Sequence, residues 1–157
     1  MVTDLTLVTL GLGANLGDAR AAVRQAMADV AALDGVEWVA ASSLYGSAPL
    51  DADGPDYVNA VVQVRTTLSP EDLLSRLQGI ELRAGRQRPY RNAPRTLDLD
   101  ILLYGDTVLD SADLQIPHPR MWQRAFVVLP LAELAPAWVS AQQLQAVAGQ
   151  VLHRLDD

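Results

Sequence analysis

The stretch of sequence that decides the fold reads Arg95-Thr96-Leu97-Asp98-Leu99-Asp100-Ile101-Leu102-Leu103-Tyr104. Its middle alternates between apolar and acidic residues with a period of two, which predicts a β-strand over residues 97–104. The side chains predicted to face a core are Leu97, Leu99, Ile101 and Leu103. Asp98 and Asp100 share the opposite face. Two carboxylates at this spacing lie about 7 Å apart and repel each other unless a cation lies between them.

The segment before this strand is the most cationic part of the chain, from Arg83 to Arg95. A carboxylate pair beside an arginine cluster suits a polyphosphate bound through a metal ion. All 12 basic residues are arginine and lysine is absent, which excludes a Walker phosphate loop and Schiff-base chemistry. Anion contacts must therefore come from guanidinium groups, which bind phosphates in a bidentate manner.

The composition predicts one globular domain over residues 1–157, because half of the residues are hydrophobic and a fifth are charged. A net charge of −7 argues against a general nucleic-acid binder. The chain has no cysteine, so disulfides, thiolate metal sites and a cysteine nucleophile are excluded. It has neither a signal-peptide pattern nor the ~20 apolar residues of a membrane span. We therefore expect a soluble, cytoplasmic protein, and no feature of the sequence demands more than a monomer.

The predicted elements alternate in type along the chain. Strands are predicted over residues 5–12, 36–45, 57–67 and 97–104, and helices over 19–33 and 70–84, with Asp18 and Ser69 as their N-caps. A short strand over 107–109 is expected to pair back with the strand at 97–104. Residues 120–134 are predicted to be helical with a break at Pro130, and 141–152 to form a last helix. The order of elements predicts an α+β fold of the ferredoxin-like split βαβ type, an antiparallel sheet with helices on one face and additional C-terminal helices. The other face could then be open to a ligand.

A glycine-rich turn is predicted over residues 11–18, before the first helix. The dinucleotide fingerprint requires Gly-x-Gly-x-x-Gly, but here the third glycine comes one residue late. We therefore reject a Rossmann interpretation. Asn15 fits equally well as a turn former and as a ligand contact.

Several short segments resemble the 6-hydroxymethyl-7,8-dihydropterin pyrophosphokinase family, and they occur in the order of that family. Those segments are residues 11–17, 47–50, 56–60, 80–82, 85–86, 94–101, 116–120 and 124–127. The resemblance implies transfer of diphosphate from ATP to the pterin alcohol in folate biosynthesis, giving AMP and the pterin diphosphate. It also implies that ATP and a pterin alcohol are the partners, with no nucleic acid and no membrane.

The resemblance further implies a role for each matching residue. Asp98 and Asp100 are expected to be catalytic residues that bind two Mg²⁺ ions on the ATP phosphates. Arg86 and Arg95 are the expected catalytic arginines, which would neutralise charge on the transferred group. The expected nucleotide contacts are Glu81, Arg88, Arg95, Ile101, His118 and Arg124. The expected pterin contacts are Asn15, Ser47, Pro49, Leu50, Tyr57, Asn59 and Phe126. No side chain is assigned as a general base.

Two other functions stay open on the residues alone. One is a different Mg²⁺-dependent phosphoryl or nucleotidyl transferase, and the other is a non-catalytic ferredoxin-like module that senses an anion. A sensor has no need of paired metal carboxylates, so Asp98 and Asp100 argue against it. Tyr57, Asn59 and Phe126 together favour a flat heteroaromatic acceptor over the other transferase.

Overall fold

The computed structural model describes residues 5–15, 18–47, 57–84 and 97–155. The strands are β1 Thr6–Ala14, β2 Val36–Ala41, β3 Tyr45–Ser47, β4 Tyr57–Thr66, β5 Asp98–Tyr104, β6 Leu109–Asp110, β7 Gln115–Ile116 and β8 His153–Arg154. The α-helices are α1 Ala19–Ala31, α2 Pro70–Arg83, α3 Ala125–Leu134 and α4 Ala141–Ala146, with 3₁₀ turns at Met121–Gln123 and Pro136–Trp138. No helix in these ranges is long and apolar enough to cross a membrane.

The main sheet has the order β5-β1-β4-β3-β8, and β2 pairs with the second half of β4. All of these pairings are antiparallel. The order places β1 and β4 at the centre, with β5 beside β1 and β2 beside β4, which is the ferredoxin-like arrangement. The predicted fold class is therefore confirmed, and α1 and α2 connect strands that do not lie side by side.

One face of the sheet packs against α1 and α2 to form the larger core. β1 contributes Val8, Leu10 and Leu12 to this core at every second position. Both helix starts agree with the sequence. The Asp18 carboxylate accepts the N–H of Ala21 at 3.1 Å, and the Ser69 hydroxyl accepts that of Asp72 at 3.1 Å. Each cap satisfies an N–H that the first helical turn leaves without an intrahelical acceptor.

The opposite face of the sheet is partly covered by α3. Val61 and Leu102 from the sheet pack against Met121, Val127 and Leu131 in a second, smaller core. The expectation of an open second face is therefore wrong for its middle. The strand ends beyond α3 on this face are not covered by that cluster.

The strict alternation predicted for the strand at 97–104 holds only over its first half. The pairing of β1 with β5 shifts between Thr9 and Leu10, so Leu102 is an extra residue in β5. Such a bulge rotates the side chains that follow it. Leu103 therefore packs against the smaller core under α3, and Tyr104 is buried in the larger core against α1 and α2.

Two predicted strands differ from the observed ones. The strand expected over residues 36–45 is divided into β2 and β3, because Ser42 leaves the regular ladder and its hydroxyl accepts the N–H of Val61 at 3.0 Å. The strand expected at 107–109 does not pair with β5. Its last residue instead begins β6, which pairs with β7.

The glycine-rich segment and the C-terminal part also differ from expectation. Gly11 and Gly13 lie inside β1 rather than in a turn. Pro130 lies within α3 and does not break it. Proline removes one main-chain hydrogen bond of the helix, and the burial of Pro130 among apolar residues compensates for that loss. The predicted helix is interrupted at Arg124 instead, where the main chain is extended. The last helix ends at Ala146. The Gln150 side chain binds to the start of α3, and the chain continues into β8, which the sequence did not predict.

Candidate functional site

Six of the predicted site residues line one cavity of about 100 Å³ on the second sheet face, beside the first turn of α3. They are Tyr57, Asn59, Asp98, Asp100, Arg124 and Phe126. We call this space the sheet cavity. Its residues come from the start of β4, the start of β5 and the start of α3, so three separate parts of the chain form it.

The strand register places the polar side chains of the sheet cavity in two adjacent rows on one face of the sheet. Gly13 of the central β1 pairs with Asn59 on one side and with Asp98 on the other. Gly11 pairs in the same way with Asp100. Because residues paired in register point to the same face, the amide and both carboxylates project from the sheet toward the same space.

Gly11 and Gly13 leave space above the central strand for these polar side chains. The sequence analysis did not identify this role of the glycines. A Cβ atom at Gly13 would lie 3.2 Å from the side-chain oxygen of Asn59, and one at Gly11 would lie 3.4 Å from Leu102 Cδ1. A side chain at Gly13 would therefore press on the buried amide. The spacing of two glycines at alternate positions of an apolar strand was the signal available in the sequence.

An aromatic side chain forms the wall of the sheet cavity that faces the sheet. Phe126 is half-buried in the first turn of α3, and the guanidinium carbon of Arg124 lies 5.4 Å from its ring centroid. This is within the range of a cation–π contact, which holds the ring and the guanidinium together. Tyr57, 36% exposed, lines the same cavity from the start of β4.

A second and larger cavity, about 610 Å³, lies beside β5. We call it the edge cavity. It is lined by Asp100 and Ile101 of β5, by His118, and by the segment from Asp110 to Gln115. Asp100 lines both cavities, so the two cavities adjoin at this residue. The contribution of residues 110–115 was not predicted, because a short polar loop carries no periodic signal.

The outward edge of β5 is held at two points. The Leu99 N–H donates to the Glu81 carboxylate at 2.8 Å, and the His118 N–H donates to the Leu102 carbonyl at 3.0 Å. Ile101 lies between these points, and its side chain is only 2% exposed within the larger core. Any contact of Ile101 with a ligand in the edge cavity is therefore made by its main chain.

His118 is oriented by its own loop. Its Nδ1 accepts the N–H of Arg120 at 3.2 Å, which leaves Nε2 to carry the proton of the neutral ring. Burial lowers the pKa of His118. The negative charge of Asp100 raises this pKa, whereas the positive charges of Arg124 and Arg120 lower it. The net result is a pKa below the ordinary value of 6.5. At neutral pH this ring is uncharged and can donate one hydrogen bond.

Glu81 lies inside the protein rather than in either of the two cavities. It is 4% exposed, and its carboxylate accepts the N–H of Leu99, which separates Asp98 from Asp100. The structure thus connects α2 to the part of β5 that carries the acidic pair. A direct nucleotide contact by Glu81 stays a prediction.

The remaining predicted residues are less closely grouped. Asn15 is half-buried just after β1 and lines neither cavity, and Ser47 ends β3, where it pairs with Tyr57. The predicted residues Arg86, Arg88, Arg95, Pro49 and Leu50 lie outside the residues that the structure describes.

Asp98 and Asp100 fit a magnesium site with a small protein contribution. Both are half-buried, both line the sheet cavity, and carboxylate oxygens are the ligands that this ion prefers. Across the described ranges, no group of three or more His, Asp or Glu side chains is arranged to hold a metal ion. These two residues could therefore hold Mg²⁺ only together with water or substrate oxygens, which is how this ion is commonly bound.

The chain is similar in sequence to one family of known proteins. Residues 9–136 match the family described as 7,8-dihydro-6-hydroxymethylpterin-pyrophosphokinase, HPPK. A 2-amino-4-hydroxy-6-hydroxymethyldihydropteridine pyrophosphokinase of Synechocystis is 42% identical over 147 residues, which cover 94% of this chain and 75% of the relative. The enzyme of the same name from Pseudomonas aeruginosa is 49% identical over 130 residues, 82% of this chain and 80% of the relative.

A solved structure also has a similar fold. The Plasmodium falciparum HPPK-DHPS wild type with pterin and p-hydroxybenzoate matches with a TM-score of 0.66 over 86% of this chain, at 14% sequence identity. The present chain spans 40% of the length of that protein. At this identity the match supports the fold alone.

Proposed function

The chain belongs to the 7,8-dihydro-6-hydroxymethylpterin-pyrophosphokinase family, and we propose that it transfers diphosphate from ATP to 6-hydroxymethyl-7,8-dihydropterin in folate biosynthesis. The products are AMP and the pterin diphosphate. The observation that carries the proposal is the position of Asp100, which lines both the sheet cavity and the edge cavity. Two substrates that must meet at a metal-bound phosphate need two adjoining spaces with a carboxylate between them.

The pterin is assigned to the sheet cavity. Phe126 offers a flat face for stacking, and the Asn59 amide offers a donor and an acceptor to the ring edge. Asn59 is 4% exposed and held in the β4 ladder, so its amide is placed before the ligand arrives. Tyr57 lines the same space, and Asn15, Ser47, Pro49 and Leu50 complete the proposed pocket by resemblance to the family.

ATP is assigned to the edge cavity. His118 can donate a hydrogen bond from Nε2, and the main chain of Ile101 at the outer edge of β5 is available to the nucleotide. Glu81, Arg88 and Arg124 complete the proposed nucleotide site by resemblance. The phosphates then extend toward Asp100, where the two cavities meet.

Asp98 and Asp100 are proposed to hold two Mg²⁺ ions with the phosphates of ATP. Bound there, magnesium would neutralise charge on the phosphates and favour attack at phosphorus. The pterin hydroxyl oxygen forms a bond to the β-phosphorus, the bond from that phosphorus to the α-phosphate oxygen breaks, and AMP leaves. The hydroxyl proton is lost to solvent. Arg86 and Arg95 are proposed to neutralise the charge that develops on the moving group.

The whole chain, residues 1–157, is proposed to form one catalytic domain that acts as a cytoplasmic monomer. Both substrates are small, and both cavities are built from this one chain.

The proposal is tested by incubating the protein with ATP, magnesium and the pterin alcohol. AMP and the pterin diphosphate are expected in equal amounts, and no turnover is expected when magnesium is removed with a chelator. Asp100→Asn should lower kcat by about 10²-fold or more while the fold survives, since it removes one charged ligand of the metal. Formation of ADP in place of AMP would exclude this function, and turnover by the Asp100→Asn protein at the wild-type rate would exclude the role given to Asp100.

A further inference from the structure

A group of hydrogen bonds outside both cavities joins the end of α3 to β3 and to the residues just before it. Both carboxylate oxygens of Glu133 accept the main-chain N–H of Ser43, at 3.1 and 3.0 Å. One oxygen also accepts the Ser43 hydroxyl at 3.2 Å, and the other accepts the Tyr45 hydroxyl at 2.7 Å. We call Glu133, Ser43 and Tyr45 the α3–β3 tie. Its members lie 88 and 90 residues apart in sequence.

The α3–β3 tie joins the two walls of the sheet cavity. Phe126 lies in the first turn of α3 and Glu133 lies two turns later, so holding one end of this short helix restrains the other. On the sheet side, Tyr45 pairs in register with Asn59, and two residues further Ser47 pairs with Tyr57. The tie therefore connects the strand register that places Asn59 and Tyr57 to the helix that places Phe126.

The surroundings show that Glu133 is charged in this arrangement. Burial acts to raise the pKa of Glu133, but the hydrogen bonds from Tyr45 and Ser43 and the nearby charge of Arg154 outweigh it, so the pKa lies below its ordinary value of 4.5. Tyr45 is 8% exposed, and burial together with Glu133 raises the pKa of its hydroxyl to about 12. At neutral pH the pair is therefore a neutral phenol donating to a carboxylate, which is a strong type of hydrogen bond.

The other end of α3 is held separately. The Gln150 side chain accepts the N–H of Ala125 at 2.9 Å and donates to the carbonyl of Gln123 at 2.7 Å. Without Glu133, α3 would keep this anchor and its apolar packing, but its last turn would no longer hold Tyr45 and the β3 register beside Asn59. Loss of the tie is thus expected to change the distance between the cavity walls rather than to unfold the helix.

We propose that Glu133 is a positioning residue for the flat aromatic substrate. Acting through Ser43 and Tyr45, it sets the separation between Phe126 and the Asn59 edge of the sheet. This inference rests on the proposed function, because it takes the pterin to be the occupant of the sheet cavity. It involves no contact of Glu133 with substrate, and it predicts an effect on one substrate only, since the edge cavity has no residue from α3 or β3.

The test compares Glu133→Ala, Glu133→Gln and Tyr45→Phe with the wild type. Affinity for the pterin is measured by its own fluorescence without turnover, and KM is measured for each substrate. Glu133→Ala should weaken pterin binding and raise the KM for pterin by about fivefold to tenfold, with the KM for ATP and kcat within about twofold of wild type. Glu133→Gln should restore part of the affinity, because its amide oxygen still accepts one of the hydrogen bonds.

Glu37→Ala is the matched control. It also removes an exposed glutamate, but Glu37 lies in β2, and its partner is Arg65 at 3.5 Å in an exposed ion pair that lines neither cavity. It should leave both KM values unchanged. Tyr45→Phe keeps the aromatic packing and removes one hydroxyl, so it gives a folded variant for measurement even if Glu133→Ala is unstable.

The outcomes separate the inference from the proposed function. Wild-type pterin affinity in all the tie variants, or equal changes in the KM for pterin and for ATP, would overturn the role of Glu133 and leave the function intact. A wild-type protein that neither binds the pterin nor forms AMP would overturn both. A selective rise in the pterin KM, partly restored by glutamine, supports the positioning role.

Discussion

At the scale of single residues, the site depends on a position that has no side chain. Gly13 lies between Asn59 and Asp98 in the row across β4, β1 and β5. Gly11 on the same face could accept a Cβ atom more easily, because its nearest neighbour would be the Leu102 side chain at 3.4 Å, but at Gly13 the amide oxygen of Asn59 leaves only 3.2 Å. Gly13 thus determines both the position of the Asn59 amide oxygen and the space above the central strand.

Gly13→Ala should therefore displace the Asn59 amide by a few tenths of an ångström. Since hydrogen bonds weaken steeply with poor geometry, we expect the KM for the pterin to rise by about tenfold. Gly79→Ala is the control, because a Cβ there meets nothing closer than Arg83 Nη1 at 3.8 Å. It should stabilise α2 by about 0.5–1 kcal/mol without affecting either KM. Steady-state kinetics and urea unfolding measure both effects, and an unchanged pterin KM in Gly13→Ala would refute the role given to Asn59.

At the scale of elements, the acidic strand is held from outside the sheet as well as by β1. β5 is the end strand of the order, so within the described residues no further strand pairs with its outward main-chain groups. Glu81 of α2 accepts one of them, the N–H of Leu99. The position of Asp98 and Asp100 thus depends on a helix that contributes no side chain to the sheet cavity.

Glu81→Ala should cost about 2 kcal/mol of unfolding free energy, because it leaves a buried N–H without this acceptor. It should also raise the magnesium concentration needed for half-maximal activity, since the strand between the two aspartates is less well held. Glu81→Gln keeps an acceptor oxygen and should show smaller changes in both quantities. The exposed Gln78→Ala on the same helix serves as the control. If Glu81→Ala altered stability but not the magnesium requirement, the link to the acidic pair would be wrong.

At the scale of the whole molecule, α3 is joined to distant parts of the chain at both ends. Gln150 holds its first turn, and Glu133 holds its last turn to the segment at Ser43 and Tyr45. β8 pairs with β3 beside the same segment. The C-terminal part of the chain therefore stabilises the sheet edge against which the sheet cavity is built.

This arrangement predicts a pH dependence of stability. The pKa of Glu133 is lowered in the folded state, so its contribution is fully present above its ordinary value of 4.5 and is lost as the pH falls through the lower folded value. Glu133 is exposed, so the contribution is about 1 kcal/mol or less. The difference in unfolding free energy between wild type and Glu133→Gln should accordingly be largest near neutral pH and shrink below pH 4.5. Urea titrations of the two proteins at several pH values measure this, and a constant difference would contradict it.

The sequence by itself determined the local features. Alternation placed Asp98 and Asp100 on one side of a strand, Asp18 and Ser69 marked two helix starts, and the order of strands and helices predicted the ferredoxin-like sheet. These features depend on periodicity and on caps that act within a few residues, so they can be read from the chain without knowing its partners.

Only the tertiary structure decided how the segments meet. The bulge at Leu102, the position of α3 on the second sheet face, β8, the buried carboxylate of Glu81 and the α3–β3 tie could not be predicted. Each depends on contacts between segments far apart in sequence, such as Tyr45 and Glu133, which are separated by 88 residues. Local propensity contains no information about such pairs, because the free energy that fixes them comes from packing and hydrogen bonds that exist only once the chain has folded.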